Sequence, residues 1–182
     1  MRMFEWFIGV TLLAFSVVSH AEDGSRSHGG SDKNANSSIP PAIQAEHKEL
    51  HEKLRAVTKL GGRTGSAAND VEKLLKPQFV KEEQLALPPL GLLTDLSAGR
   101  MPRDGTAMIR ITDDLKREML QMLAEHKQVV AALQRLQEAA QAESKPDGVA
   151  FAKTLTAHAT LEEHVFYPSA LLVGRYLSEK KK

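Results

Sequence analysis

Four stretches of the chain place apolar residues three and four apart, as the core-facing side of a helix requires. The first stripe is Ile43, His47, Leu50, Leu54 and Val57, and the second is Val71, Leu74, Gln78, Glu82 and Leu85. The third is Met108, Ile111, Leu115, Met119, Met122, His126, Val129, Leu133 and Leu136. The fourth is Phe151, Leu155, His158, Glu162, Val165, Ser169, Leu172 and Tyr176. Gly and Pro set the limits. The first segment runs from about Pro41 to Leu60 and stops at Gly61-Gly62, and the second lies within Asp70–Leu87, before Pro88-Pro89. The third spans Thr106–Ala142, after a Gly99–Gly105 loop, and the fourth spans Asp147–Leu177, after Lys145-Pro146. Pro77 must kink the second segment or mark its true start, and Thr64 to Ala68 reads as a plain linker. These segments predict an all-α fold, an up-down antiparallel four-helix bundle over residues 41–178.

Each stripe is interrupted by a side chain able to bind a metal ion. The interruptions belong to an internal repeat. Glu46-His47-Lys48 recurs as Glu125-His126-Lys127, Glu82-Glu83 as Glu162-Glu163, and Pro88 as Pro168, with Gln78 opposite His158. Leu50 and Leu54 likewise pair with Val129 and Leu133. A bundle with pseudo-two-fold symmetry would bring all four interruptions to one level. An unpaired carboxylate in a core is costly and tends to neutralise itself. Glutamates and histidines converging there are better held by a cation. Residues four apart share a helix face, so His158 and Glu162 can bind one ion or bridge two. Imidazole and carboxylate without sulfur suit iron first, with manganese or zinc as alternatives. Against this stands the ordinary core histidine satisfied by hydrogen bonds. His51 and His164 lie off the inner face, and Glu46, Glu83, Glu125 and Glu163 flank it, where surface or supporting roles compete with ligation.

Glu-His on the first and third segments, with His-x-x-x-Glu-Glu and a following Pro on the fourth, resembles the hemerythrin-like, HHE cation-binding domain. The resemblance covers about residues 42–176. It implies a four-helix bundle holding a non-haem di-iron centre, with His47, Glu82, His126, His158 and Glu162 as ligands and the two glutamates as bridges. The chain departs from that pattern at Gln78, where the family has histidine, which leaves an open position, a single ion or a degenerate site. Met122 and Val130 stand where oxygen carriers have a further histidine, and Glu163 stands at the place of their aspartate. The implied function is iron binding that serves storage, sensing or capture of a small gas such as oxygen or nitric oxide. The alternatives are a di-iron oxidase, a nitric-oxide or peroxide reductase, or a metal-free interaction bundle with a decayed site. The Glu-x-x-His motif of ferritin-like di-iron enzymes is missing, which favours binding over catalysis.

The remaining composition narrows the setting. Arg2, the apolar run Trp6–Val18 and Ser19-His20-Ala21 read as a signal peptide over residues 1–21, cut after Ala21, which implies a periplasmic or secreted protein. At about 13 residues the run is short for a membrane span. Residues 22–40 carry few apolar side chains and read as a flexible leader. The formal charge is +1, which suggests no nucleic-acid partner, and Lys180 to Lys182 belong to a solvated basic tail over residues 179–182. The chain has no cysteine, so disulfides, thiolate metal sites and covalently attached haem are excluded.

Overall fold

Helix accounts for nearly all of the described chain, residues 39–103 and 105–181 of the computed structural model, and no strand occurs among them. The expected signal segment lies outside the described residues, as does the leader up to Ser38. Ile39, at the leader's end, is buried. The elements are α1 (Pro41–Thr58), α2 (Gly62–Lys81), a short α3 (Leu93–Ser97), α4 (Gly105–Ala142), α5 (Pro146–Leu161) and α6 (Tyr167–Lys180). One π-helical turn, Glu82–Ala86, follows α2, and another, Glu162–Phe166, joins α5 to α6. A 3-10 segment, Pro88–Leu92, leads into α3. Helix α1 packs on α2 and α5, and α4 packs on α2, α5 and α6. No described helix is long and apolar enough to cross a membrane.

One expectation about the second segment needs correction: helix α2 begins at Gly62, so Thr64 to Ala68 lies within its first two turns rather than in a linker. Of the two roles open to Pro77, it sits inside the helix and does not start it. The small residues that look like linker composition are there for packing. Thr64 and Ala68 are fully buried, and a Cβ on Gly65 would lie 2.7 Å from the Thr58 carbonyl oxygen. The helix is started from across the fold. The Arg63 and Thr64 amides donate to the Glu143 carboxylate at 2.8 and 2.9 Å, and the Thr64 hydroxyl donates to it at 2.7 Å. A carboxylate on orphan N-terminal amides is the favourable charge for that end of a helix. Gly62 (φ +62°) adopts a backbone that side-chain-bearing residues rarely take, and a Cβ there would lie 2.6 Å from Glu143 Oε1.

The stripes hold as far as the two π turns and then slip by one residue. Val165, Leu172 and Tyr176 are exposed, while Tyr167, Ala170, Val173 and Leu177 are buried. In the first copy Ala86 is fully buried where Leu85 was expected. A π turn inserts one residue into the helical repeat, so the inward face advances by one position. Its signature bonds run from the Leu87 amide to the Glu82 carbonyl and from the Tyr167 amide to the Glu162 carbonyl. Pro88 and Pro168 follow these turns. Proline donates no amide hydrogen and its ring crowds the carbonyl four residues back, a strain that a widened turn relieves. The tail also differs, since α6 continues to Lys180 and Lys181 Nζ donates to Thr106 Oγ1 at 2.8 Å.

The apolar interior is split in two. One cluster gathers Leu50, Leu54, Val71, Phe79, Leu133 and Leu155 with their neighbours, and the other gathers Ile39, Leu87, Leu115, Met122, Tyr167 and Ala170. Along α2, α4 and the α5–α6 segment, the interrupting polar residues fall between members of the two clusters. A buried polar layer therefore separates two dry ones.

Candidate metal centre

Six polar side chains make this layer: His47, Gln78, Glu82, His126, His158 and Glu162, each at most 3% exposed. All five ligand candidates named from the sequence are brought together, and Gln78 joins them. Two triads can each hold a metal ion, His47–His158–Glu162 and Glu82–His126–Glu162. Glu162 belongs to both, and its two oxygens face different partners. Oε1 lies 3.1 Å from His158 Nε2 and 3.5 Å from His47 Nε2, while Oε2 lies 3.5 Å from His126 Nε2. Glu82 Oε1 lies 3.1 Å from His126 Nε2.

Only part of this closeness is hydrogen bonding, as between His126 Nε2 and Glu82 Oε1. Both nitrogens of His47, His158 Nε2, Glu162 Oε1, Glu82 Oε2 and Gln78 Oε1 are buried without a hydrogen-bond partner. Native interiors leave few such atoms, each worth roughly 1–3 kcal/mol. Six in one layer, four of them on residues of the His47–His158–Glu162 triad, are what a cation held there would help to satisfy.

Behind each imidazole stands a further carboxylate. His158 Nδ1 is 3.1 Å from Glu46, His126 Nδ1 is 3.1 Å from Glu163, and His47 Nδ1 is 3.7 Å from Glu83. A carboxylate on Nδ1 holds the proton there and turns the Nε2 lone pair toward an ion. Glu125, the repeat partner of Glu46, has no histidine to hold because Gln78 stands in that place. It pairs with Lys81 at 2.7 Å instead. Five carboxylates thus surround three imidazoles, an excess of two negative charges even with every ring protonated.

Left to themselves, the groups would share protons. Burial lowers the pKa of His158, but Glu162 and Glu46 outweigh it and raise the ring to about 9. Burial also opposes protonation of His126, and Glu82, Glu162 and Glu163 overcome it. Burial would raise Glu162, yet His158 and His47 hold it down at about 2. Glu82 is pushed up, by burial first and then by the charge of Glu162. Two carboxylates that diverge in this way compete for positive charge.

Tyr167 is the participant that the stripe reading missed. Its hydroxyl donates to Glu82 Oε1 at 2.9 Å and lies 3.0 Å from His126 Nε2, with Gln78 Nε2 at 3.5 Å. Burial and the neighbouring carboxylates push its pKa upward. A period of 3.6 carried through Glu162 points Val165 inward and Tyr167 away. The one available signal was the repeat itself, since both copies follow the glutamate pair with a bulky residue and then proline.

His164 is exposed and lies 2.9 Å from the Thr160 carbonyl oxygen through its Nδ1. His51 is half-buried edge-on to Phe79, whose ring stacks on His47 at 4.3 Å. Both stay outside the two triads. A surface hollow lined by Gln44, His47, Lys48, His51, Glu52 and Glu83 reaches the His47 ring from solvent. Compared with protein-family models, curated proteins and solved structures, the chain matches none.

Proposed function

We propose that this chain is a hemerythrin-like protein that holds non-haem iron, two ions bridged by Glu162, and binds a small gas such as oxygen or nitric oxide there. The observation that carries the reading is the division of Glu162 between two triads, around which His47 Nε2, His158 Nε2, Glu162 Oε1 and Glu82 Oε2 lack hydrogen-bond partners. The donor set suits iron, being imidazole and carboxylate with no sulfur, and manganese and zinc are the competing ions. His47, His158 and Glu162 would hold one ion, and Glu82, His126 and Glu162 the other. The contacts of α1 with α2 and α5, and of α4 with α2 and α5, together with the internal repeat, support an up-down antiparallel four-helix bundle.

Iron held this way supplies redox chemistry and a coordination position for a gas ligand. The protein's own contributions follow from the layer. Glu46, Glu83 and Glu163 orient the imidazoles, and the apolar clusters on either side exclude bulk water. The hollow lined by His47 gives a small neutral molecule an approach to the His47–His158–Glu162 side of the site. The composition of the stretch from Met1 to Ala21 supports a reading in which the protein is exported and acts outside the cytoplasm.

The test is anaerobic ferrous loading of the purified chain, desalting, and an absorption spectrum before and after nitric oxide or oxygen. Retained iron with a gas-dependent spectral change is the expected result. A chain that retains no ferrous iron, or one whose iron spectrum is indifferent to both gases, contradicts the proposal.

A further inference from the structure

The two halves of the repeat build their sides of the layer unequally. His47 corresponds to His126 and Glu162 to Glu82, but His158 corresponds to Gln78, so the second triad lacks one imidazole. The halves also differ in polarity at a buried position beside the layer. Where the first has Leu87, fully buried and apolar, the second has Tyr167, 1% exposed. The loss and the gain meet in space, because the Tyr167 hydroxyl lies 3.5 Å from the Gln78 amide nitrogen.

The hydroxyl completes a regular figure. Tyr167 oxygen to Glu82 Oε1 is 2.9 Å, Tyr167 oxygen to His126 Nε2 is 3.0 Å, and His126 Nε2 to Glu82 Oε1 is 3.1 Å. Adjacent donors around an octahedral ion with bonds of about 2.1 Å stand about 3 Å apart. These three atoms therefore span one face of such an octahedron, and Glu162 Oε2, 3.5 Å from His126 Nε2, lies beside it. Hydrogen bonds satisfy this triangle in part, but Glu82 Oε2 beside it is left without a partner.

We propose that Tyr167 is a ligand of the second ion, its phenolate oxygen replacing the imidazole lost at Gln78, so that the centre is asymmetric. One ion takes His47, His158 and Glu162, and the other takes His126, Glu82, Glu162 and Tyr167. On ligation the phenol O–H bond breaks, its proton passes to solvent, and an oxygen–iron bond forms. This inference rests on the iron reading above and assigns one more residue to that site.

Phenolate bound to ferric iron gives a charge-transfer band in the visible range that imidazole and carboxylate ligands do not. The experiment loads wild-type chain and Tyr167→Phe with ferrous iron anaerobically and oxidises both with ferricyanide. Absorption and resonance Raman spectra are then recorded beside the iron count. Phe fills the same buried space, so the apolar layer under the site is kept. The wild type is expected to show the band and phenolate ring modes, and Tyr167→Phe to lose both while keeping at least one iron per chain. Iron retained by the wild type without the band overturns the tyrosine assignment alone. A band that survives in Tyr167→Phe overturns it too, and failure of the wild type to retain iron overturns this inference together with the reading beneath it.

Discussion

Glu162→Gln separates a shared metal centre from two independent polar clusters. The amide conserves the volume of the side chain, so packing in the layer is preserved, but it removes the charge of the one residue common to both triads. The first ion would keep only His47 and His158, and the second would keep Glu82 and His126 with the Tyr167 hydroxyl nearby. Ferrous ion at a hundred times Kd adds about 2.7 kcal/mol of stability per site, so two occupied sites add about 5.4 kcal/mol. For a domain of this size each kcal/mol moves Tm by roughly 3 °C, so loading should raise the wild-type Tm by about 15 °C. In Glu162→Gln the rise should shrink to below about 5 °C, with bound iron falling from two ions per chain to fewer than one. Calorimetry under nitrogen, with each protein compared with its own metal-free melt, removes any effect of the substitution on the unloaded fold. A variant that keeps both the full rise and the full iron count would refute the shared bridge.

Three further outcomes follow from the same geometry. Glu46→Gln and Glu163→Gln should each weaken iron binding about 10–100-fold by releasing an imidazole, whereas Glu125→Gln, which faces Lys81, should leave it unchanged; competition with a chelator measures all three, and equal losses would deny the distinction. Gly174→Ala would put a Cβ 1.9 Å from Thr112 Oγ1, so α4 and α6 must part. The expected cost is about 1–3 kcal/mol or more, and an unchanged urea midpoint would contradict the close crossing. The hydrogen bonds from Thr64 and Arg63 hold the Glu143 carboxyl at about 2, well below its ordinary range. Its folded value lies below the unfolded one, so its contribution is present above the unfolded value and is lost as pH falls toward the folded one. The gap in urea midpoint between wild type and Glu143→Ala should therefore close between about pH 5 and pH 2, and a gap independent of pH would refute this account of the α2 start.

What was legible in the sequence was set by helical periodicity. His47, Glu82, His126, His158 and Glu162 stood out because each interrupts an apolar stripe, and all five are buried in one layer. The start of α2 was hidden because Gly, Ser, Thr and Ala serve close packing and linkers alike, and its capping residue, Glu143, lies 79 positions away from Thr64. Tyr167 was hidden for a different reason. The π turn at Glu162–Phe166 breaks the period that the stripe reading depends on, and it does so directly beside the site. Gln78 read as a loss in the sequence alone. In three dimensions it stands 3.5 Å from the Tyr167 hydroxyl, which is why that residue is put forward to take its place.

An ion in each of the two triads is tested most directly by the metal content of the chain after anaerobic ferrous loading and removal of free ion. Two iron ions per chain in the wild type is the expected result. A chain that leaves the column without metal, with its melting temperature unmoved by ferrous, manganous or zinc ions, would contradict it.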